Sequence, residues 1–101
     1  MESLQREPAH PGEILKEEFL DPMGLTQSRL ARDLKTSFRA VNELVNQKRG
    51  ITTEMALKLA RYFGTSPQLW LNLQNQYDLY KVRQKTMDTL KSIHPYSAAQ
   101  G

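Results

Sequence analysis

The sequence predicts an all-α fold, and three features predict it. Apolar residues recur at intervals of three and four through most of the chain, the spacing that gathers them on one face of a helix. Start and stop signals bound these stripes, with Ser or Thr before one and Gly or Pro after it. No stretch alternates apolar with polar residues as a half-buried strand would. The 101 residues, 39% hydrophobic and 25% charged, support one domain with a single modest core.

Residues 1–9 read as a flexible N-terminus. HPGEILKEEFLDPMG then reads as a helix, with His10 at its entry, Pro11 in its first position and Asp21-Pro22 closing it. Leu15 and Phe19, four apart, face the core. Glu13, Glu17 and Asp21 share a stripe on roughly the opposite side. Thr26 suits the N-cap of a second helix, which begins at Gln27 and runs through Leu30, Ala31 and Leu34. Gln47-Lys48-Arg49-Gly50 is a stop. Thr52-Thr53-Glu54 opens the next helix, with Ala56, Leu59, Ala60 and Phe63 as its stripe and Gly64 as its C-terminal cap. Ser66-Pro67 starts another, which buries Trp70, Leu73 and Tyr77. Beyond Tyr80, Val82, Thr86, Leu90 and Ile93 continue a thin amphipathic helix, and SIHPYSAAQG frays. Residues 10–80 thus form the domain, and residues 81–101 a partly helical extension.

The middle of the chain, RLARDLKTSFRAVNELV, admits two readings. Leu30, Leu34, Phe38, Val41 and Val45 fall within an arc of about 80° at helical rotation, so one long rod satisfies the pattern. A rod from Gln27 to Gln47 would exceed the usual three to four turns and leave much of its surface unburied. A turn at Lys35-Thr36-Ser37 instead gives two short helices that fold onto each other. Ser37 favours that turn, because Ser caps helices better than it extends them. The small Ala31 then lets the second helix cross closely, with Val41 and Leu44 packing back.

Charge is unevenly spread. Residues 1–25 carry two basic and six acidic side chains, whereas residues 26–50 carry six basic and two acidic. Positive charge therefore concentrates on the disputed stretch and its flank, as contact with a phosphate backbone favours, with a plain solvated face as the other reading. The chain has no cysteine, no run approaching the ~20 apolar residues that span a bilayer, and no secretory signal in MESLQREPAH. A cytoplasmic location, no membrane partner and no cofactor are expected. His10 and His94 sit at opposite ends without a paired nucleophile or metal-ligand spacing, so neither catalysis nor a metal site is expected.

LTQSRLARDLKTSFRAVNELVNQKRGIT resembles the helix-turn-helix of Xre/Cro-like repressors. Gln27, Leu30-Ala31, Leu34, Ser37, Val41 and Leu44 occupy the places that pattern requires. Lys35 and Thr36 depart from it, standing where the turn usually has Gly and an apolar residue. The resemblance implies that the chain bends, with the helix-turn-helix over residues 26–47. The whole is then a five-helix Cro/lambda-repressor-like domain with a C-terminal helical extension. The second helix of such a motif lies in the major groove. That directs Arg39 to a guanine and Asn42, with Asn46, to base edges. Phe38 either touches a thymine methyl or, as its place in the apolar arc favours, is partly buried. Gln27, Ser37, Lys48 and Arg49 would contact phosphates.

The flanks HPGEIL, KRGIT and ALKLARYFGTSPQLWLNLQNQYDL narrow the resemblance to HigA-type antitoxins of bacterial toxin–antitoxin modules, over about residues 10–79. The resemblance implies a homodimer that represses its own operon through operator DNA and binds a small mRNA-cleaving toxin of the HigB type. Glu13, Glu17 and Asp21 are the candidates to meet a basic toxin, with plain solvated surface as the other reading. A stand-alone Cro-like transcriptional regulator is the alternative function.

Overall fold

The computed structural model describes residues 7–97, and among these the chain forms five helices and no strand. The first, α1, is one continuous run of Pro11–Ile14, Leu15–Leu20 and Asp21–Met23. It is followed by α2 (Gln27–Leu34), α3 (Phe38–Val45), α4 (Thr53–Phe63) and α5 (Pro67–Ser92). Most of the expected flexible N-terminus (residues 1–6) and the last part of the frayed end (98–101) lie outside the described residues.

Each helix starts on a side-chain cap that accepts an otherwise orphaned backbone N–H. Thr26, Ser37, Thr52 and Ser66 accept from Arg29, Ala40, Met55 and Leu69 at 3.0, 3.0, 3.1 and 3.1 Å. His10 does the same for α1, where Nδ1 accepts from the Gly12 N–H at 2.9 Å.

The chain bends where the hinge was expected. Lys35 takes the left-handed conformation (φ 57°, ψ 48°), the place usually given to glycine. Its N–H donates to Arg32 O at 3.1 Å, and Thr36 N–H reaches back to Ala31 O at 3.0 Å, closing α2. Lys58 Nζ on α4 donates to the Lys35 carbonyl at 3.3 Å. A non-glycine residue is thus held here by bonds on both sides of its peptide.

Asp21-Pro22 does not close the first helix, which runs on to Met23 and stops at Gly24 (φ 61°). In a regular α-turn the Pro22 ring would meet the carbonyl four residues back. The helix is widened to π geometry over Leu15–Leu20, and Asp21 N–H donates to Lys16 O, five residues back. The same widening sets Lys16 Nζ 2.9 Å from Asp21 Oδ2. The three expected acidic residues differ in burial. Glu13 is half-buried in a cleft beside His10, Gln47 and Tyr77, while Glu17 and Asp21 are exposed.

The core joins Leu15 and Leu20 of α1 to Leu30, Ala31 and Leu34 of α2, Val41, Leu44 and Val45 of α3, and Met55, Ala56, Leu59 and Ala60 of α4. Trp70 of α5 closes it, fully buried between Phe19 and Phe63, with Nε1 donating to Thr65 Oγ1 at 2.8 Å. Leu73 and Tyr77 are only half-buried, and the Tyr77 ring meets His10 edge-on at 4.8 Å. At Gly12, α1 lies directly on the Leu44 carbonyl, where any Cβ would overlap it. No break divides α5 at residue 80, and its distal half runs past the core into solvent.

Glycine at position 35 removes a left-handed penalty of about 1–2 kcal/mol but loosens the unfolded chain by roughly 0.5–1 kcal/mol. K35G should therefore gain about 0.5–1 kcal/mol and melt a few degrees higher. A lower melting temperature would show that the lysine stem contributes more than its backbone costs. Burial holds the His10 pKa below its ordinary value of 6.5, against the opposing pull of Asp78 and Glu13. The unfolded chain then takes up the proton first, so stability is full above about pH 6.5 and declines as pH falls through it. Urea unfolding at about pH 7.5 and about pH 5.5 should show this loss, and H10N should lack that share of it.

Candidate nucleic-acid interface

Helix α3 has two faces. Ala40, Val41, Leu44 and Val45 are buried, Asn42 and Glu43 are half-buried, and Phe38, Arg39 and Asn46 are exposed. Phe38 is 51% exposed and is not among the partly buried side chains packed on the core, so the core burial favoured for it does not occur. The continuous apolar arc assumed unbroken helical rotation. The left-handed Lys35 and the extended Ser37 reset that phase, which leaves Phe38 at the margin of its own helix.

Three amides form a ladder across this face. Gln27 Oε1, at the start of α2, accepts from Asn42 Nδ2 at 3.0 Å, and Asn42 Oδ1 accepts from Asn46 Nδ2 at 3.2 Å. The Gln27 NH₂ and the Asn46 carbonyl remain at its two ends as a donor and an acceptor. Ser37 Oγ is used as a cap acceptor, which leaves its hydroxyl proton to donate outward.

The loop after α3 turns through a second left-handed residue, Gln47 (φ 62°), with Lys48 N–H donating to Glu43 O at 2.7 Å. Gln74 of α5 latches this loop. Its Oε1 accepts from Ile51 N–H at 2.7 Å, and its side chain occupies the space that a Cβ on Gly50 would need. Lys48 and Arg49 are both exposed. Glu43 joins Arg49 to Arg39: Oε2 accepts from Arg39 Nε at 2.8 Å, and Oε1 accepts from Arg49 Nη2 at 2.8 Å. Hydrogen bonds from Arg39 and then Arg49 hold the Glu43 carboxyl below the usual carboxylate range, so it is ionised at neutral pH.

The structure therefore brings Gln27, Asn42 and Asn46 into one network, and Arg39 and Arg49 into another. Ser37 and Phe38 sit at the exposed start of α3, and Lys48 stands beyond its end. Sequence reasoning missed Glu43 and Gln74. The spacing Arg39-x-x-x-Glu43 was a readable signal for the first. Gln74 gave none, since its partner lies 23 residues away.

A capped helix, a left-handed turn and a second capped helix that exposes arginine and amides define a helix-turn-helix DNA-binding domain. The family profile described as Helix-turn-helix matches residues 15–70, and the chain belongs to that family, among its Xre-like members. Virulence-associated protein I of Dichelobacter nodosus is 49% identical over 88 residues, spanning 87% of this chain and 81% of that protein. Antitoxin HigA-1 of Vibrio cholerae serotype O1 is 37% identical over 95 residues, spanning 94% and 90%. The structure of Pseudomonas aeruginosa antitoxin HigA with the higBA promoter matches at a TM-score of 0.85 and 43% identity, covering 89% of this chain and 99% of that one.

Proposed function

We propose that this chain is an antitoxin that represses its own operon by sequence-specific DNA binding as a dimer and neutralises a small mRNA-cleaving toxin of the HigB type. The observation that carries the DNA half is the exposed face of α3, in a fold matching at TM-score 0.85 an antitoxin solved with its promoter. In this reading α3 lies in the major groove. The terminal nitrogens of Arg39 meet O6 and N7 of a guanine, Asn42 and Asn46 face adenine N6 and N7, and Phe38 lies against a thymine methyl. Gln27, Ser37, Lys48 and Arg49 hold phosphates and set the register.

The toxin half is supported by likeness to proteins named HigA antitoxins. Of the three acidic candidates on α1, Glu17 and Asp21 are exposed for such a partner, whereas Glu13 is half-turned into the cleft by His10. Leu79, Val82 and Leu90 are exposed along distal α5, with Ile93 just past its end, and offer a dimer seam. A two-fold dimer reads half-sites about 34 Å, or a multiple of that, apart.

R39A should lose about ten- to a hundredfold in affinity for a fragment of the chain's own promoter and relax preference at one base pair. K48A should weaken all sequences alike and lower the salt slope by about one. Binding titrations that leave both variants unchanged would remove this face from the interface. The toxin half is tested by co-expression with the product of the adjacent reading frame. Failure to relieve its growth arrest leaves a stand-alone regulator. The V82D/L90D double variant should sediment as a monomer, and an intact dimer would exclude this stripe.

A further inference from the structure

We propose that Glu43 is a positioning residue that sets sequence specificity, by holding the Arg39 guanidinium end-on to the base edges and Arg49 away from them. The proposal rests on reading α3 as the helix that enters the major groove.

The geometry of the carboxylate carries it. One oxygen takes the Nε–H of Arg39 at 2.8 Å, and the other takes Nε and Nη2 of Arg49 at 3.1 and 2.8 Å. With Nε engaged, Arg39 keeps its two terminal nitrogens for a bidentate contact, the fork that matches O6 and N7 of guanine. The Arg39 side chain is otherwise 82% exposed. Released, it could swing to a phosphate and bind any sequence equally well.

Stability does not account for the Arg39 arm of this network: the Arg39 side chain is 82% exposed, so its pairing with the half-buried Glu43 is screened by salt and adds little to folding. A carboxylate on a phosphate-facing surface also repels every duplex, whatever its sequence. Its presence therefore lowers non-specific binding while the aligned Arg39 preserves specific binding. Both effects widen the ratio between the two.

The experiment compares wild type, E43Q, R39A and the R39A/E43Q double variant on a fragment of the chain's own promoter and a scrambled duplex of equal length, at fixed salt. Thermal melts of all four proteins accompany it and should agree closely. E43Q should bind the promoter about tenfold more weakly and the scrambled duplex about two- to threefold more tightly, since one negative charge has left the interface. In the R39A background, E43Q should move both duplexes largely together, leaving only the small change in ratio that the released Arg49 contributes. A merely structural role would shift both duplexes in the same direction in the Arg39 protein, and that result overturns the proposal. So does a ratio effect of E43Q that persists in full without Arg39. A wild-type protein that does not prefer its promoter over the scrambled duplex overturns the reading of α3 itself, and the proposal with it.

Discussion

The left-handed backbone at Lys35 is the constraint on which the rest of the molecule depends. Without it, residues 27–45 form a single rod whose apolar stripe has nothing to fold against. With it, α2 closes on its own carbonyls, Ser37 is free to cap α3, and the two helices bury Ala31 and Val41 in one core. Glycine would take this conformation at little cost. Lysine takes it because neighbouring groups hold it, through the backbone bonds that end α2 and the reach of Lys58 to its carbonyl.

The placement of α3 is braced at its far end as well. Gly12 lets α1 lie against the Leu44 carbonyl, and Gln74 latches the following loop to α5. In the proposed reading α3 must hold its side chains to within a fraction of an ångström of the base edges. Here the turn fixes one end of that helix, and contacts with α1 and α5 fix the other. His10 links these supports, since it caps α1 while its ring packs on Tyr77 of α5.

The exposed face combines charge with restraint. Basic residues crowd residues 26–50, yet several are tied to carboxylates: Arg29 to Asp33, and Arg39 and Arg49 to Glu43. Asp33 is itself held by the Tyr62 hydroxyl at 2.6 Å. Unpaired arginines would grip any duplex through its phosphates, whereas arginines fixed by a neighbour meet DNA in one orientation. The amide ladder from Gln27 through Asn42 to Asn46 applies the same restraint to neutral groups.

Much of this was legible in the sequence, for local reasons. Caps at Thr26, Ser37, Thr52 and Ser66, the stop at Gly64, and the buried positions of Leu15, Leu30, Val41, Leu59 and Trp70 all follow from residue type and a period of 3.6. These mark the helix starts and their apolar faces, and the resemblance, which favours two helices over one rod at Lys35-Thr36-Ser37, points to DNA. Other features depended on how segments meet. The π-turn before Pro22 carried the first helix past the expected stop at Asp21-Pro22, and the reset of phase at Lys35 left Phe38 half exposed at the edge of its helix. Gln74 found its loop from 23 residues away. By itself the sequence determined the caps and the apolar side of each helical segment, because those depend on neighbours along the chain. Only the tertiary structure decided which polar groups face one another, because the angle between two helices is set by packing and is not encoded in the periodicity of either.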